Sequence, residues 1–98
     1  MNINTKKDNT ALTVFIEGRL DTATSPSLDE TLKAQMPGIS ELVIDMEKLE
    51  YLSSAGLRVL LSAQKVMNKQ GSMTVRNVNE TIMEIFDITG FSDILTIQ

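Results

Sequence analysis

The chain has 98 residues, no cysteine, histidine or tryptophan, and thirteen acids against nine bases, for a formal charge of −4. These figures exclude disulfides, thiol chemistry, the usual zinc sites and every catalytic dyad or triad that uses imidazole as its base. One tyrosine, three phenylalanines and bases scattered from Lys6 to Arg76 supply neither the basic stripe nor the stacking platform of a nucleic-acid binder.

The opening Met-Asn-Ile-Asn-Thr-Lys-Lys-Asp is polar and has no apolar signal core, and no apolar run approaches the ~20 residues that span a bilayer. The expectation is a soluble cytoplasmic protein with no membrane partner. Asn79-Glu80-Thr81 has glycosylation spacing, which means nothing without a secretion signal.

Around Ile3 the pattern predicts a first strand, with Lys7-Asp8-Asn9 turning it back. Leu12, Val14 and Ile16 alternate along a second strand, which Gly18 is expected to stop. Ser25-Pro26 reads as an N-cap serine followed by proline at the first helical position, with Asp29 and Glu30 in the early turns. Leu28, Leu32 and Met36 carry that helix to Pro37-Gly38. The run from Glu41 to Met46 predicts a central strand, followed by a polar connection and an inward-tucked Tyr51-Leu52 pair. Leu57, Leu60, Leu61, Gln64 and Met67 form the stripe of the longest helix, closed between Asn68 and Gly71. Met73 to Arg76 predicts a further strand. Thr81 to Thr89 reads as a helix with Ile82, Ile85, Phe86 and Ile88 inward and Gly90 as its cap, and Ile94 to Ile97 as a last strand. Strands alternating with helices mean an α/β sheet of four or five strands with helices packed on it.

Ser53-Ser54-Ala55-Gly56 opens the longest helix. A helix N-terminus has unpaired N–H groups and a partial positive charge, so hydroxyls there suit an anion or a phosphoryl group. Ala55 and Gly56 are expected to keep the surface open to another protein. Serine is also the favoured N-cap, and small residues let a helix pack closely on a sheet, so both explanations stand at this point. Other signals are weaker. Ser62-Ala-Gln-Lys65 has the spacing of penicillin-recognising enzymes but lacks their companion motifs and falls mid-helix. Asp45, Glu47 and Glu50 read as a solvated connection rather than a cation site. Met36, Met46, Met67, Met73 and Met83 read as core filler. No catalytic residue, metal ligand or cofactor motif emerges.

Leu52-Ser-Ser-Ala-Gly-Leu-Arg-Val-Leu-Leu61 after Leu42-Val-Ile-Asp-Met46 resembles the signature of STAS-domain anti-sigma-factor antagonists. Gly18-Arg-Leu-Asp21 and Phe86-Asp-Ile-Thr-Gly-Phe91 are similar to two further motifs of that family, in the same order. The resemblance implies one STAS-like domain over residues 1–98, a four- to five-stranded mixed sheet with about three helices mainly on one face. It puts the phosphorylatable serine on Ser54, with Ser53, where many members have aspartate, as second choice. Asp21, Ser53, Ser54, Ala55, Gly56 and Arg58 would then form the partner surface. The implied partners are an anti-sigma factor serine kinase, which the unphosphorylated form binds so that a sigma factor is freed, and a metal-dependent serine phosphatase. The protein itself would be a non-enzymatic monomer or weak homodimer. The alternative is a STAS module of another system: a stress-signalling scaffold, a lipid-transport accessory or a small-ligand sensor.

Overall fold

A computed structural model describes residues 1–98. The elements run β1 (Asn2–Asp8), β2 (Ala11–Leu20), α1 (Ser25–Gln35), β3 (Glu41–Leu52), α2 (Ser54–Gln70), β4 (Ser72–Arg76) and α3 (Glu80–Thr89), then a 3-10 turn at Phe91–Asp93. The four strands lie side by side in chain order, β1 antiparallel to β2 and the rest parallel. This order decides where the helices go. Both crossovers, β2–α1–β3 and β3–α2–β4, step in the same direction across the sheet. Right-handed crossovers that step the same way deliver their helices to the same face.

That face carries the alternating apolar residues Leu12, Val14 and Ile16 of β2, Leu42 and Ile44 of β3, and Met73 and Val75 of β4. With Leu28 and Leu32 of α1, Leu57, Leu60 and Met67 of α2, and Ile82 and Phe86 of α3, they form one contiguous core. On the opposite face Thr13, Phe15, Val43 and Thr74 are half-buried by one another.

β3 is longer than the alternation of its apolar residues predicts. The expected polar connection after Met46 is strand, because two bulges each insert one extra residue opposite β2. Phe15 pairs Asp45 while Glu17 pairs Lys48, and Gly18 pairs Leu49 while Arg19 pairs Tyr51. Each insertion stretches the inward spacing from two to three, so Met46, Leu49 and Leu52 all reach the core. Gly18 does not stop β2. It sits beside the second bulge at φ 98°, a conformation open to glycine, and the strand runs on to Leu20.

Other expectations are corrected. The N-cap of α1 is Thr24, one residue before Ser25, and Asp29 lies past the first turn, paired with Lys33 at 2.9 Å. Tyr51 points outward and only Leu52 is buried. Ile88 is 86% exposed, since the buried stripe of α3 consists of Ile82 and Phe86. The last strand reduces to a single parallel bridge between Val75 and Ile97, with Leu95 buried beside it.

Asp45 is no solvated connector. It is 9% exposed, and Oδ2 accepts hydrogen bonds from Arg76 Nε and Asn77 Nδ2, each at 3.0 Å, while Oδ1 accepts from the Glu47 N–H. Burial pushes its pKa up, but these donors outweigh burial and hold it below the ordinary 3.8. A carboxylate whose pKa is lowered by folding stabilises fully above its unfolded value and loses that contribution as pH falls through the folded one. Asp45→Asn is therefore expected to cost about 1–3 kcal/mol at neutral pH. In acid the gap to the parent closes as pH falls below 3.8 and through the lowered folded pKa. Urea titrations at several pH values measure it; a gap independent of pH would refute the ionic contribution.

Candidate functional site

The site forms where β2 and β3 end together. Leu20 pairs Leu52, and the Ser53 N–H donates to the Leu20 carbonyl at 2.9 Å. Asp21 follows one strand and Ser53 the other, so two segments remote in sequence meet at the carboxyl edge of the parallel strands, where open α/β sheets usually carry their sites. Gly56 fixes how α2 leaves this edge. A Cβ there would lie 2.7 Å from Leu52 Cδ1 and 2.8 Å from Leu20 Cγ, so the helix start rests directly on the two strand ends. This corrects the expectation that Gly56 opens the surface: it is buried, and its small size serves packing.

The two serines have different jobs. Ser53 is half-buried with extended backbone and is the N-cap of α2, its Oγ accepting from the Gly56 N–H at 3.4 Å. Ser54 is the first helical residue and is exposed. Ala55 is half-buried, and Arg58 is exposed one turn further along α2. The first turn of α2 contains no acidic residue of its own to offset its partial positive charge.

Asp21 shapes the neighbouring loop. Its Oδ1 accepts from the Ala23 N–H at 3.0 Å and the Thr24 N–H at 3.1 Å, and the Asp21 N–H donates to Thr24 Oγ1 at 2.9 Å. The Thr24 N–H, helped by the Thr24 hydroxyl, the Ala23 N–H and Arg19, holds the Asp21 carboxyl below its usual 3.8 against the desolvation that raises it. The Asp21 carbonyl also receives the Ser25 N–H, so this one residue launches α1.

Arg19 and Tyr51 also belong to this edge, which the sequence reading missed. The Arg19 guanidinium stacks 4.2 Å from the Tyr51 ring centre and lies 3.8 Å from Asp21 Oδ2. The signal was available. Both residues immediately precede the leucines that pair at the strand ends, but the two bulges hide that register from a period-two reading. Ser62 and Lys65 are exposed on α2, consistent with an outward polar face.

A mixed four-stranded sheet with its helices on one face, and a serine-capped helix starting at its carboxyl edge, defines a class of small α/β modules that present a helix N-terminus. The chain belongs to the STAS domain family, whose model matches residues 2–98. It is 33% identical over 99 residues to the anti-sigma-B factor antagonist of Bacillus subtilis strain 168, covering 100% of this chain and 91% of that protein. Among solved structures it is similar to an anti-sigma factor antagonist from Mycobacterium paratuberculosis, at TM-score 0.89 and 22% identity over 98% of this chain and 83% of the other. It shares the fold of the anti-sigma factor antagonist SpoIIAA from Bacillus, with TM-score 0.79 and 13% identity to the unphosphorylated form over 99% of this chain and 87% of that one. The phosphorylated form of SpoIIAA superposes with TM-score 0.77. No helix is long and apolar enough to cross a membrane.

Proposed function

We propose that the chain is an anti-sigma-factor antagonist that works as a phosphorylation-controlled partner switch. Unphosphorylated, it binds an anti-sigma factor that is also a serine kinase and frees the sigma factor held there. The kinase, with its own ATP and magnesium, transfers the γ-phosphoryl group to Ser54. A bond forms between Ser54 Oγ and phosphorus, the bridging bond to the β-phosphate breaks, ADP leaves, and the hydroxyl proton passes to the kinase's base or to solvent. A metal-dependent serine phosphatase hydrolyses the ester and resets the module. The protein is acted upon in the cytoplasm and needs no catalytic group or cofactor of its own. The anti-sigma-B factor antagonists among its relatives favour this reading over a scaffold, lipid-transport or ligand-sensing role.

The observation that carries the choice of residue is the division of labour at the start of α2. The Ser53 oxygen is used as the cap, whereas Ser54 is exposed and can be modified without uncapping the helix. Around it, Asp21 holds the adjoining loop, the small half-buried Ala55 lets a partner come close to the helix start, Gly56 keeps that start seated on the strand ends, and Arg58 offers a cation. A phosphoryl group adds about −1.5 to −2 charges at this contact. An unpaired charge enclosed in an interface costs several kcal/mol, so binding ends without unfolding.

Incubation with the serine kinases of the same cell and ATP, followed by peptide mass spectrometry, tests the assignment. Modification at Ser54 is expected. Modification confined to Ser53 would move the site, and none at either serine would sink the switch.

A further inference from the structure

Two of the chain's three arginines are already engaged. Arg19 lies over Tyr51 and beside Asp21, and Arg76 binds Asp45 at 3.0 Å and sits 6.0 Å from the Phe15 ring centre. Arg58 is exposed, and neither the three ion pairs nor the two cation–π contacts include it. It stands four residues after Ser54 in α2, which begins at Ser54. Helical side chains lean toward the N-terminus, so the side chain at i+4 reaches back over residue i. An anion N-terminal to a cation at this spacing is the favourable order, and the partial positive charge of a first turn that holds no acidic residue adds to it.

We propose that Arg58 is the intramolecular counter-ion of phosphorylated Ser54, unengaged in the unmodified protein and drawn back onto the phosphoryl group in the modified one. This rests on Ser54 being the modified residue. Phosphorylation then does two things in one event: it adds negative charge at the helix start, and it neutralises the basic group standing one turn behind. The planar guanidinium presents two N–H donors to two phosphoryl oxygens, a match that an ammonium lacks.

The test installs phosphoserine at position 54 during synthesis by genetic encoding, so that no kinase is needed, and follows the phosphorus resonance through a pH titration. The second ionisation of phosphoserine ordinarily falls near pH 6. Arg58→Gln is expected to raise it by roughly 0.15–0.4 pH unit relative to the parent. Arg58→Lys is expected to raise it by less, and Arg19→Gln to leave it in place. Circular dichroism of each unphosphorylated variant checks that the exposed substitution leaves the fold intact. Superimposable titration curves for the parent and Arg58→Gln would overturn the proposal. So would a shift produced by Arg19→Gln and absent from Arg58→Gln. If kinases ignore Ser54, the mapping experiment reports it and this titration still reads out, so the two ideas fail separately.

Discussion

Gly71→Ala is expected to be the most destabilising small substitution in the molecule, at roughly 3 kcal/mol. For a domain of this size that lowers the thermal midpoint by roughly 12–24 °C. Backbone conformation is not the reason, since φ 169° is extended and open to any residue. The reason is contact. A Cβ on Gly71 would lie 1.8 Å from the Ser40 carbonyl oxygen and 2.5 Å from its carbon, and both are backbone atoms that cannot swing away. Nor is Ser40 free to shift as a whole. Its carbonyl accepts the Ser72 N–H at 2.9 Å, its N–H donates to the Thr10 carbonyl at 2.9 Å, and its Oγ donates to Thr10 Oγ1 at 2.8 Å. The starts of β2, β3 and β4 are thus stitched at one end of the sheet, and the added methyl pushes into the middle of the seam. Gly90→Ala supplies the contrast. A Cβ there meets nothing within 4 Å, and the cost is the left-handed φ of 81°, about 1–2 kcal/mol. Chemical unfolding of both variants decides it. Equal losses would show that the contact at Ser40 relaxes freely.

Gly71 also shows what a sequence pattern conveys and what it omits. Reading it as the end of a helix is right, yet the same letter would appear if it served only as a turn. The need for it lies in Ser40, 31 positions away, and no local pattern records a contact across that distance. β3 makes the same point differently. Alternation from Leu42 to Met46 is visible because one face is buried at period two. Leu49 and Leu52 then arrive at period three, which imitates a turn, and only pairing with β2 shows the bulges. An apolar residue next to a helix end, such as the exposed Ile88, looks inward until the neighbouring elements are placed. The site was more legible. A serine pair before small residues at a helix start carries its own physics, and the motif around Asp21 stands in the same chain. Only the structure shows that Leu20 and Leu52 pair, which makes those two segments one surface, and that Ser53 rather than Ser54 gives its oxygen to the cap.

That division of labour yields a crossed pair of outcomes. Ser54→Asp is expected to weaken binding to the anti-sigma kinase by about 2–5 kcal/mol, roughly thirty-fold to several thousand-fold in Kd, because it leaves a carboxylate enclosed in the contact. Its thermal midpoint should hold or rise slightly, since Ser54 is exposed and an acid in the first turn of a helix is favoured by the dipole. Ser53→Ala should do the reverse. Losing the cap oxygen frees the Gly56 N–H and costs about 0.5–1 kcal/mol, at the low end because the bond is a long 3.4 Å. The midpoint then falls by roughly 2–8 °C. Binding should stay close to that of the parent, since no charge enters the contact. Ser54→Ala completes the set: it binds like the parent and cannot be phosphorylated, so its complex survives incubation with kinase and ATP. Calorimetric titration and thermal unfolding on the same samples read both axes. Parent-like binding by Ser54→Asp would remove the charge mechanism. Lost binding by Ser53→Ala at an unchanged midpoint would transfer the recognition role from Ser54 to Ser53.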